Sequence, residues 1–105
     1  MIEKEMVVTN PKGIHARPSA LIAKTAMQFS SEIVLIKDDV VADARNVMSL
    51  LMLSAAFGSV LKIRVSGEDE QEALSAIEKI FDIQFNDDDN KYYRSPGTKS
   101  RRKEK

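Results

Sequence analysis

Apolar and charged residues alternate along two stretches of the chain, residues 2–9 and 60–66, and this alternation predicts two half-buried β-strands. Residues 31–37, SEIVLIK, are rich in β-branched side chains and predict a third strand. Two aspartates then make a tight connection to residues 40–42, VVA, which predict a short partner strand in a hairpin.

Three other segments have apolar residues at the spacing of a helix that buries one face. The first runs over residues 16–29 with Pro18 in its first turn, where a missing N–H costs nothing. The second, 46–56, opens on the good N-cap residue Asn46 and is expected to end at the glycine that follows it. The third covers residues 67–81. The order β-α-β-β-α-β-α predicts an α+β protein of two packed layers.

The composition bounds the class of protein. A chain of 105 residues with 43% hydrophobic and 30% charged residues suits one globular domain with a modest core. It has no cysteine, which excludes disulfides, zinc-thiolate sites and thiol catalysis. No apolar run approaches the ~20 residues needed to cross a bilayer, and the first residues, MIEKEMVV, lack the apolar segment of a secretory signal. A cytoplasmic protein without membrane insertion is the simplest interpretation.

The net charge of zero conceals an asymmetry between the body of the chain and its end. Residues 1–85 carry 9 Lys and Arg against 12 Asp and Glu, whereas residues 86–105 carry 7 against 4. The acidic balance of the body argues against a nucleic-acid interface there. Because residues 86–105 lack apolar periodicity, we expect a folded domain over 1–85 followed by a charged, disordered tail.

The only histidine, His15, lies in the segment GIHARPSA, two residues after Gly13 and immediately before the first predicted helix. Main-chain N–H groups at a helix start have no intrahelical partners, and with the helix dipole they form a site for an anion. Arg17 adds a cation suited to phosphate, and Lys12 could add a second one. Since imidazole is partly unprotonated near neutral pH, it could act as a nucleophile that accepts a phosphoryl group.

The residues also allow interpretations in which this histidine has no role in phosphoryl chemistry. A single histidine beside a turn is commonly a polar surface residue or a neighbour of a helix cap. Metal binding fits poorly, because one histidine with no cysteine and no carboxylate three or four residues further on supplies too few ligands. Spacing alone therefore leaves phosphoryl chemistry and a surface role both open, and it predicts no metal.

The segment GIHARPSA resembles the active-site signature of the histidine-containing phosphocarrier (HPr) family of the bacterial sugar phosphotransferase system and of its nitrogen-branch relatives. RNVMSLLMLSAAFGSVLKI resembles the family's second helix and fourth strand, and SGEDEQEALSAIEKIF resembles the edge of its last strand and its last helix. The similarity runs over residues 2–84 without an obvious gap. It implies an open-faced sandwich in which three helices cover one face of a four-stranded antiparallel sheet.

By this resemblance, His15 accepts a phosphoryl group on Nδ1 from phosphorylated Enzyme I and passes it to a histidine of an enzyme IIA domain. Arg17 would neutralise the phosphate, and the N–H groups of Ala16 and Arg17 would bind its oxygens. Pro18 would fix the first helical turn. The family's transfer needs no metal or organic cofactor, so the protein would be a stoichiometric carrier, not an enzyme, and we expect it to be a monomer.

A carrier that docks several partners needs an adaptable apolar surface beside its active site. The second helix has more large apolar residues than one buried face holds, so some of them should point outward, although a fully buried set is the alternative. The residues that match the family's partner contacts are Val47, Met48, Leu51 and Met52 on the second helix and Ala20, Lys24 and Met27 on the first.

Two positions depart from the family's pattern. Many members begin the second helix with a serine that a dedicated kinase phosphorylates, and the ungapped alignment places Asn46 there. Since asparagine has no hydroxyl, we predict that this switch is absent, with Ser49 as a weak substitute. Lys12 stands where the family more often has a small polar residue.

The resemblance leaves two functions open. The first is phosphoryl transfer in sugar transport, and the second is a regulatory binding module of an incomplete or nitrogen-related phosphotransferase system, which signals to a regulator through its phosphorylation state. The intact pair of His15 and Arg17 favours transfer, because a pure binding module would have no need of a nucleophile. A nucleic-acid contact through the basic tail is a weaker third hypothesis, and we expect none.

Overall fold

Four strands and three helices make up residues 1–83, the part of the chain that this computed structural model describes. The strands are β1 (Ile2–Val7), β2 (Glu32–Lys37), β3 (Val40–Asp43) and β4 (Val60–Ser66), and the helices are α1 (Ala16–Ala26), α2 (Val47–Met52) and α3 (Glu70–Phe81). Their order confirms the predicted β-α-β-β-α-β-α arrangement. The expected domain limit at residue 85 and the tail 86–105 lie outside the described residues.

The strands form one antiparallel sheet in the order β1-β4-β2-β3. The predicted alternation in β4 is confirmed, since Leu61, Ile63 and Val65 are fully buried while Lys62 stands on the exposed face. A two-residue connection closes the β2–β3 hairpin, because Lys37 pairs with Val40. All three helices pack over the buried face of the sheet, which makes the molecule the open-faced α+β sandwich that the sequence predicts.

The core lies between the sheet and the helices. Each long helix buries one stripe of residues, as its apolar spacing predicts, and the other side of the helix faces solvent. The α3 residues expected to face inward are all buried: Ala73, Leu74, Ile77, Ile80 and Phe81. From α1 the core takes Ile22, Ala23 and Ala26, and from α2 it takes Leu50.

The second helix is shorter than predicted, and the expectation that it runs to residue 56 was wrong. It ends at Met52, and two residues later Ser54 adopts a positive φ of 52°, the left-handed conformation that commonly follows a helix C-terminus. Glycine usually takes this position, so a serine there does not predict the end of a helix. Gly58, the predicted stop, instead lies in the loop beside β1, where its N–H donates to the Val8 carbonyl at 2.8 Å.

The first helix also ends early, at Ala26 and not near residue 29. The chain leaves it through hydrogen bonds between residues three apart, with the Gln28 N–H donating to the Thr25 carbonyl and the Phe29 N–H to the Ala26 carbonyl. Phe29 still packs against the core, which explains why the apolar periodicity continues past the helical turn.

Asp69, the N-cap residue of α3, ties the start of that helix to the segment before β2. Its carboxylate accepts hydrogen bonds from the main-chain N–H groups of Ser30 and Ser31, each at 2.9 Å, and from the Ser31 hydroxyl. Ser31 is fully buried, and its carbonyl accepts a hydrogen bond from the Arg45 guanidinium at 3.1 Å. The hydrogen bond from the Ser31 hydroxyl, followed by those from the main chain of both serines, lowers the pKa of Asp69 from its usual 3.8 to about 2.

We predict that acid weakens the fold through Asp69. Because its folded-state pKa lies below the unfolded value, its contribution is complete above about pH 4 and is lost as the pH falls toward 2. Urea unfolding between pH 2 and pH 7 should show a steep loss of stability in this window for the wild type and a weaker dependence for Asp69→Asn. Asp39→Asn, a change at an exposed hairpin residue, is the matched control. A D69N protein as stable at pH 7 as the wild type would contradict the prediction.

Candidate functional site

His15 is the N-cap residue of α1, so the prediction that it stands at a helix start is confirmed. Its backbone is extended, with φ −95° and ψ −165°, and its carbonyl accepts the first hydrogen bond of the helix from the Ser19 N–H at 3.0 Å. The ring makes no capping hydrogen bond to the helix, and its Nε2 atom is buried while the residue as a whole is half-buried. The imidazole is therefore held against the protein and not used to cap the helix.

Gly13 makes the close approach that places His15. Its φ is +71°, which L side chains rarely adopt, and a Cβ there would lie 2.4 Å from the Ala55 carbonyl oxygen. The next residue, Ile14, donates its N–H to the same carbonyl at 2.8 Å. The loop that precedes α1 is thus fixed on the loop that follows α2, and only glycine fits the contact. That Gly13 sets the start of the helix stays a prediction, and this contact supports it.

The start of α1 offers main-chain donors on the side of His15. The first N–H group to donate within the helix is that of Ser19, and Pro18 has no N–H. The N–H groups of Ala16 and Arg17 therefore lie in the first turn, where the helix offers no carbonyl acceptor of its own. The first turn contains no acidic residue. Pro18 is buried in this turn, and its fixed φ suits the start of a helix. These groups form the anion-binding end of a helix beside an imidazole.

Two cations act on the His15 ring. The pKa of His15 is lowered from its usual 6.5, first by desolvation, since partial burial penalises the charged imidazolium, and then by the positive charges of Lys12 and Arg17. The structure therefore brings together the four residues that the sequence assigned to phosphate chemistry: Lys12, His15, Ala16 and Arg17. A neutral imidazole has a free lone pair for nucleophilic attack, and the same two cations would oppose the charge of a phosphoryl group.

Large apolar side chains are exposed on α1 and α2, which pack against each other. Met27, Met48 and Met52 are each about two-thirds exposed or more, at 67%, 66% and 73%. Ala20 and Lys24 are also exposed, Leu51 is half-buried, and Val47 is half-buried with packing against the core. The interpretation that the whole apolar set of α2 is core was wrong, because only Leu50 of the helix is fully covered.

Two residues near the site, Phe57 and Asn10, were not predicted from the sequence. Phe57 is 65% exposed on the loop after α2, next to Ala56, whose Cα lies beside Gly13. Asn10 is only 7% exposed, although it lies in the turn that leads to Gly13. An asparagine before a proline is a signal for a side chain that bonds to its own turn, and it could have identified Asn10.

Neither a membrane span nor a metal site emerges from residues 1–83. No helix in that range is long and apolar enough to cross a bilayer. No group of three or more His, Asp and Glu side chains within it could hold a metal ion.

Comparison with known proteins gives consistent matches. A family model described as the PTS HPr component phosphorylation site matches residues 2–82. The phosphocarrier protein HPr of Treponema pallidum (strain Nichols) is 41% identical over 88 residues, which cover 84% of this chain and all of that protein. The phosphocarrier protein NPr of Escherichia coli (strain K12) is 33% identical over 83% of this chain and 98% of its own length. The crystal structure of HPr-C-His from Thermoanaerobacter tengcongensis has a TM-score of 0.73 and 36% identity, covering 81% of this chain and all of that one.

The fold and the histidine at the start of α1 define an HPr-like open-faced sandwich. The family match over residues 2–82 takes this further: the chain belongs to the HPr family of phosphocarrier proteins of the phosphotransferase system, a family that includes NPr relatives. The resemblance read from GIHARPSA is thereby confirmed.

We predict that His15 titrates below its usual pKa of 6.5 and that Arg17→Ala moves the pKa back upward, since one of the charges that disfavour the imidazolium is then gone. Proton NMR of the ring suits this measurement because the chain has a single histidine. Lys24→Ala, which removes an exposed lysine of the same helix that does not act on the ring, should leave the midpoint in place. A midpoint at or above 6.5 in the wild type would contradict the account.

Proposed function

We propose that this protein carries a phosphoryl group on His15, which it accepts from phosphorylated Enzyme I and donates to IIA domains of sugar permeases. The observation that carries the proposal is the juxtaposition of a half-buried imidazole, whose pKa is lowered, with the start of α1 and the charges of Lys12 and Arg17. Membership of a phosphocarrier family supports it. The protein acts in the cytoplasm as a monomeric, stoichiometric carrier.

The transfer step follows from the ring geometry. The Nδ1 lone pair of neutral His15 attacks the phosphorus of the donor's phosphohistidine, the new N–P bond forms, and the donor's N–P bond breaks with its electron pair returning to the donor nitrogen. The burial of Nε2 supports Nδ1 as the reacting nitrogen, because a partner cannot reach the enclosed atom. Nε2 keeps its proton throughout, so transfer needs no separate acid or base.

The phosphorylated state is stabilised by groups that are already in place. The N–H groups of Ala16 and Arg17, the guanidinium of Arg17 and the ammonium of Lys12 bind the phosphate oxygens, and fixed donors of this kind need little rearrangement when charge arrives. Since both cations also keep the unphosphorylated ring neutral, they favour nucleophile and product alike. The chemistry involves no metal or organic cofactor.

Docking of both partners uses the exposed side chains of α1 and α2. Methionine side chains adapt to surfaces of different shape, which suits a carrier that binds a donor and an acceptor in turn. We assign Met27, Met48 and Met52 to the centre of this surface because they are the most exposed. The rest of the surface comprises Ala20, Lys24, Val47 and Leu51.

We predict that the protein is labelled by Enzyme I and labelled phosphoenolpyruvate, and that the label is acid-labile, as on a histidine nitrogen. His15→Ala should take up none, and Arg17→Ala should slow labelling by about a hundredfold, the effect of removing one donor to a developing charge. Asp39→Asn, at the exposed β2–β3 connection, should be labelled like the wild type. Label on His15→Ala, or none on the wild type, would exclude the proposed transfer.

We predict that a serine kinase that phosphorylates HPr proteins at the start of the second helix does not phosphorylate this chain. Asn46 is the N-cap of α2, where its Oδ1 accepts the Ser49 N–H at 3.1 Å, and it has no hydroxyl to modify. Ser49 is half-buried within the helix. Asn46→Ser is the matched variant, since serine is an equally good N-cap and restores the acceptor hydroxyl. Phosphate found on Ser49 of the wild type would contradict this prediction.

A further inference from the structure

Asn10 is buried at the centre of an exposed turn. Its neighbours Pro11 and Lys12 are exposed, whereas Asn10 itself is only 7% exposed. Its side-chain Oδ1 accepts the main-chain N–H of Lys12 at 3.1 Å, and its carbonyl accepts the N–H of Gly13 at 2.8 Å. One residue thus fixes two successive positions of the segment that leads to His15.

The surroundings of the Asn10 side chain are mainly apolar. It lines a cleft with Val8, Ile14, Ile22 and Phe81, and its Nδ2 is buried with no hydrogen-bond partner in residues 1–83. A buried amide donor without a partner costs free energy, so a residue of pure packing would serve better as leucine or alanine. The hydrogen bond to Lys12 is the interaction that offsets this cost.

The turn is anchored at both ends. Asn10 holds the chain before Lys12, and the Ala55 carbonyl holds it after Gly13 through the N–H of Ile14 at 2.8 Å. Lys12 and His15 lie on either side of this second anchor. The hold on the main chain of Lys12 therefore sets the point from which its side chain reaches toward the imidazole.

We propose that Asn10 is a positioning residue of the active site, whose side-chain oxygen holds the main chain of Lys12 and thereby keeps the lysine charge at the His15 ring. This inference extends the proposed function by a residue that acts through Lys12 and does not itself touch the phosphoryl group. Loss of the Asn10 oxygen leaves Lys12 in place in the sequence but frees its main chain, so that its charge acts less on the ring.

A double-mutant cycle on the unphosphorylated protein tests the proposal. Asn10→Leu removes the oxygen but keeps the volume within an apolar lining, and it is made in the wild-type and in the Lys12→Ala background. The pKa of His15 is measured by NMR in all four proteins. N10L should raise this pKa toward 6.5 in the wild type and leave it unchanged when Lys12 is already alanine. An equal shift in both backgrounds, or no shift in either, would overturn the proposal.

Amide hydrogen exchange of Lys12 gives a second readout. The Lys12 N–H should exchange slowly in the wild type and in Asn10→Asp, which keeps the acceptor oxygen, and faster in Asn10→Leu. Asn10→Ala replaces N10L in both experiments if the leucine variant does not fold. Fast exchange of the Lys12 amide in the wild type would contradict the turn geometry on which the inference depends.

Transfer kinetics then separate this inference from the proposed function. Labelling from phosphorylated Enzyme I should slow by about tenfold in N10L, with no further loss in the Lys12→Ala background. If the wild type accepts no phosphate while the pKa cycle behaves as described, the proposed function fails and the positioning role stands. If the wild type is labelled and the two substitutions act independently, the positioning role fails alone.

Discussion

The active site depends on the contact between the main chain at Gly13 and Ile14 and the main chain at Ala55. A glycine in a left-handed conformation lets the two loops approach until no Cβ fits between them, and the Ile14 N–H closes the contact with a hydrogen bond to the Ala55 carbonyl at 2.8 Å. This contact fixes the residue before the histidine and so fixes the histidine itself. It also ties the segment before α1 to the segment after α2, the helix on which Met48 and Met52 are exposed.

The chemistry of the site follows from this one placement. A histidine in an ordinary surface turn would be solvated and half-protonated near its usual pKa of 6.5. At the start of α1 the imidazole is partly buried, and this burial, followed by the charges of Lys12 and Arg17, lowers its pKa. The same electrostatic field that disfavours a proton on the ring favours a phosphoryl group there, because the phosphate brings negative charge.

The sequence predicted most of the fold because its strands and long helices have strong periodicity. In β4 and α3 every residue expected to face inward is buried. The end of α2 was predicted wrongly, since Ser54 takes a left-handed conformation that a serine rarely adopts. The role of Asp69 was also missed. Its carboxylate accepts hydrogen bonds from Ser30 and Ser31, and partners so distant in sequence have no local signal.

The residues of the candidate site were predicted more completely than the contacts that hold the segment before His15. His15, Ala16 and Arg17 are adjacent in sequence, so a helix start was sufficient to place them together. The preceding segment is held by two contacts: the Asn10 side-chain oxygen accepts the Lys12 N–H, and the Ala55 carbonyl accepts the Ile14 N–H. An asparagine before a proline is a signal for the Asn10 contact, whereas every residue has a main-chain carbonyl, so the sequence gives no sign of the Ala55 contact.

The central claim is that His15 carries the phosphoryl group on Nδ1. Nitrogen–phosphorus NMR of the ring-labelled protein, recorded after incubation with Enzyme I and phosphoenolpyruvate, tests it most directly. The account predicts that phosphorus couples to Nδ1 of His15 and not to Nε2, which is buried. Phosphorus bonded to Nε2, or phosphate on a residue other than His15, would contradict it.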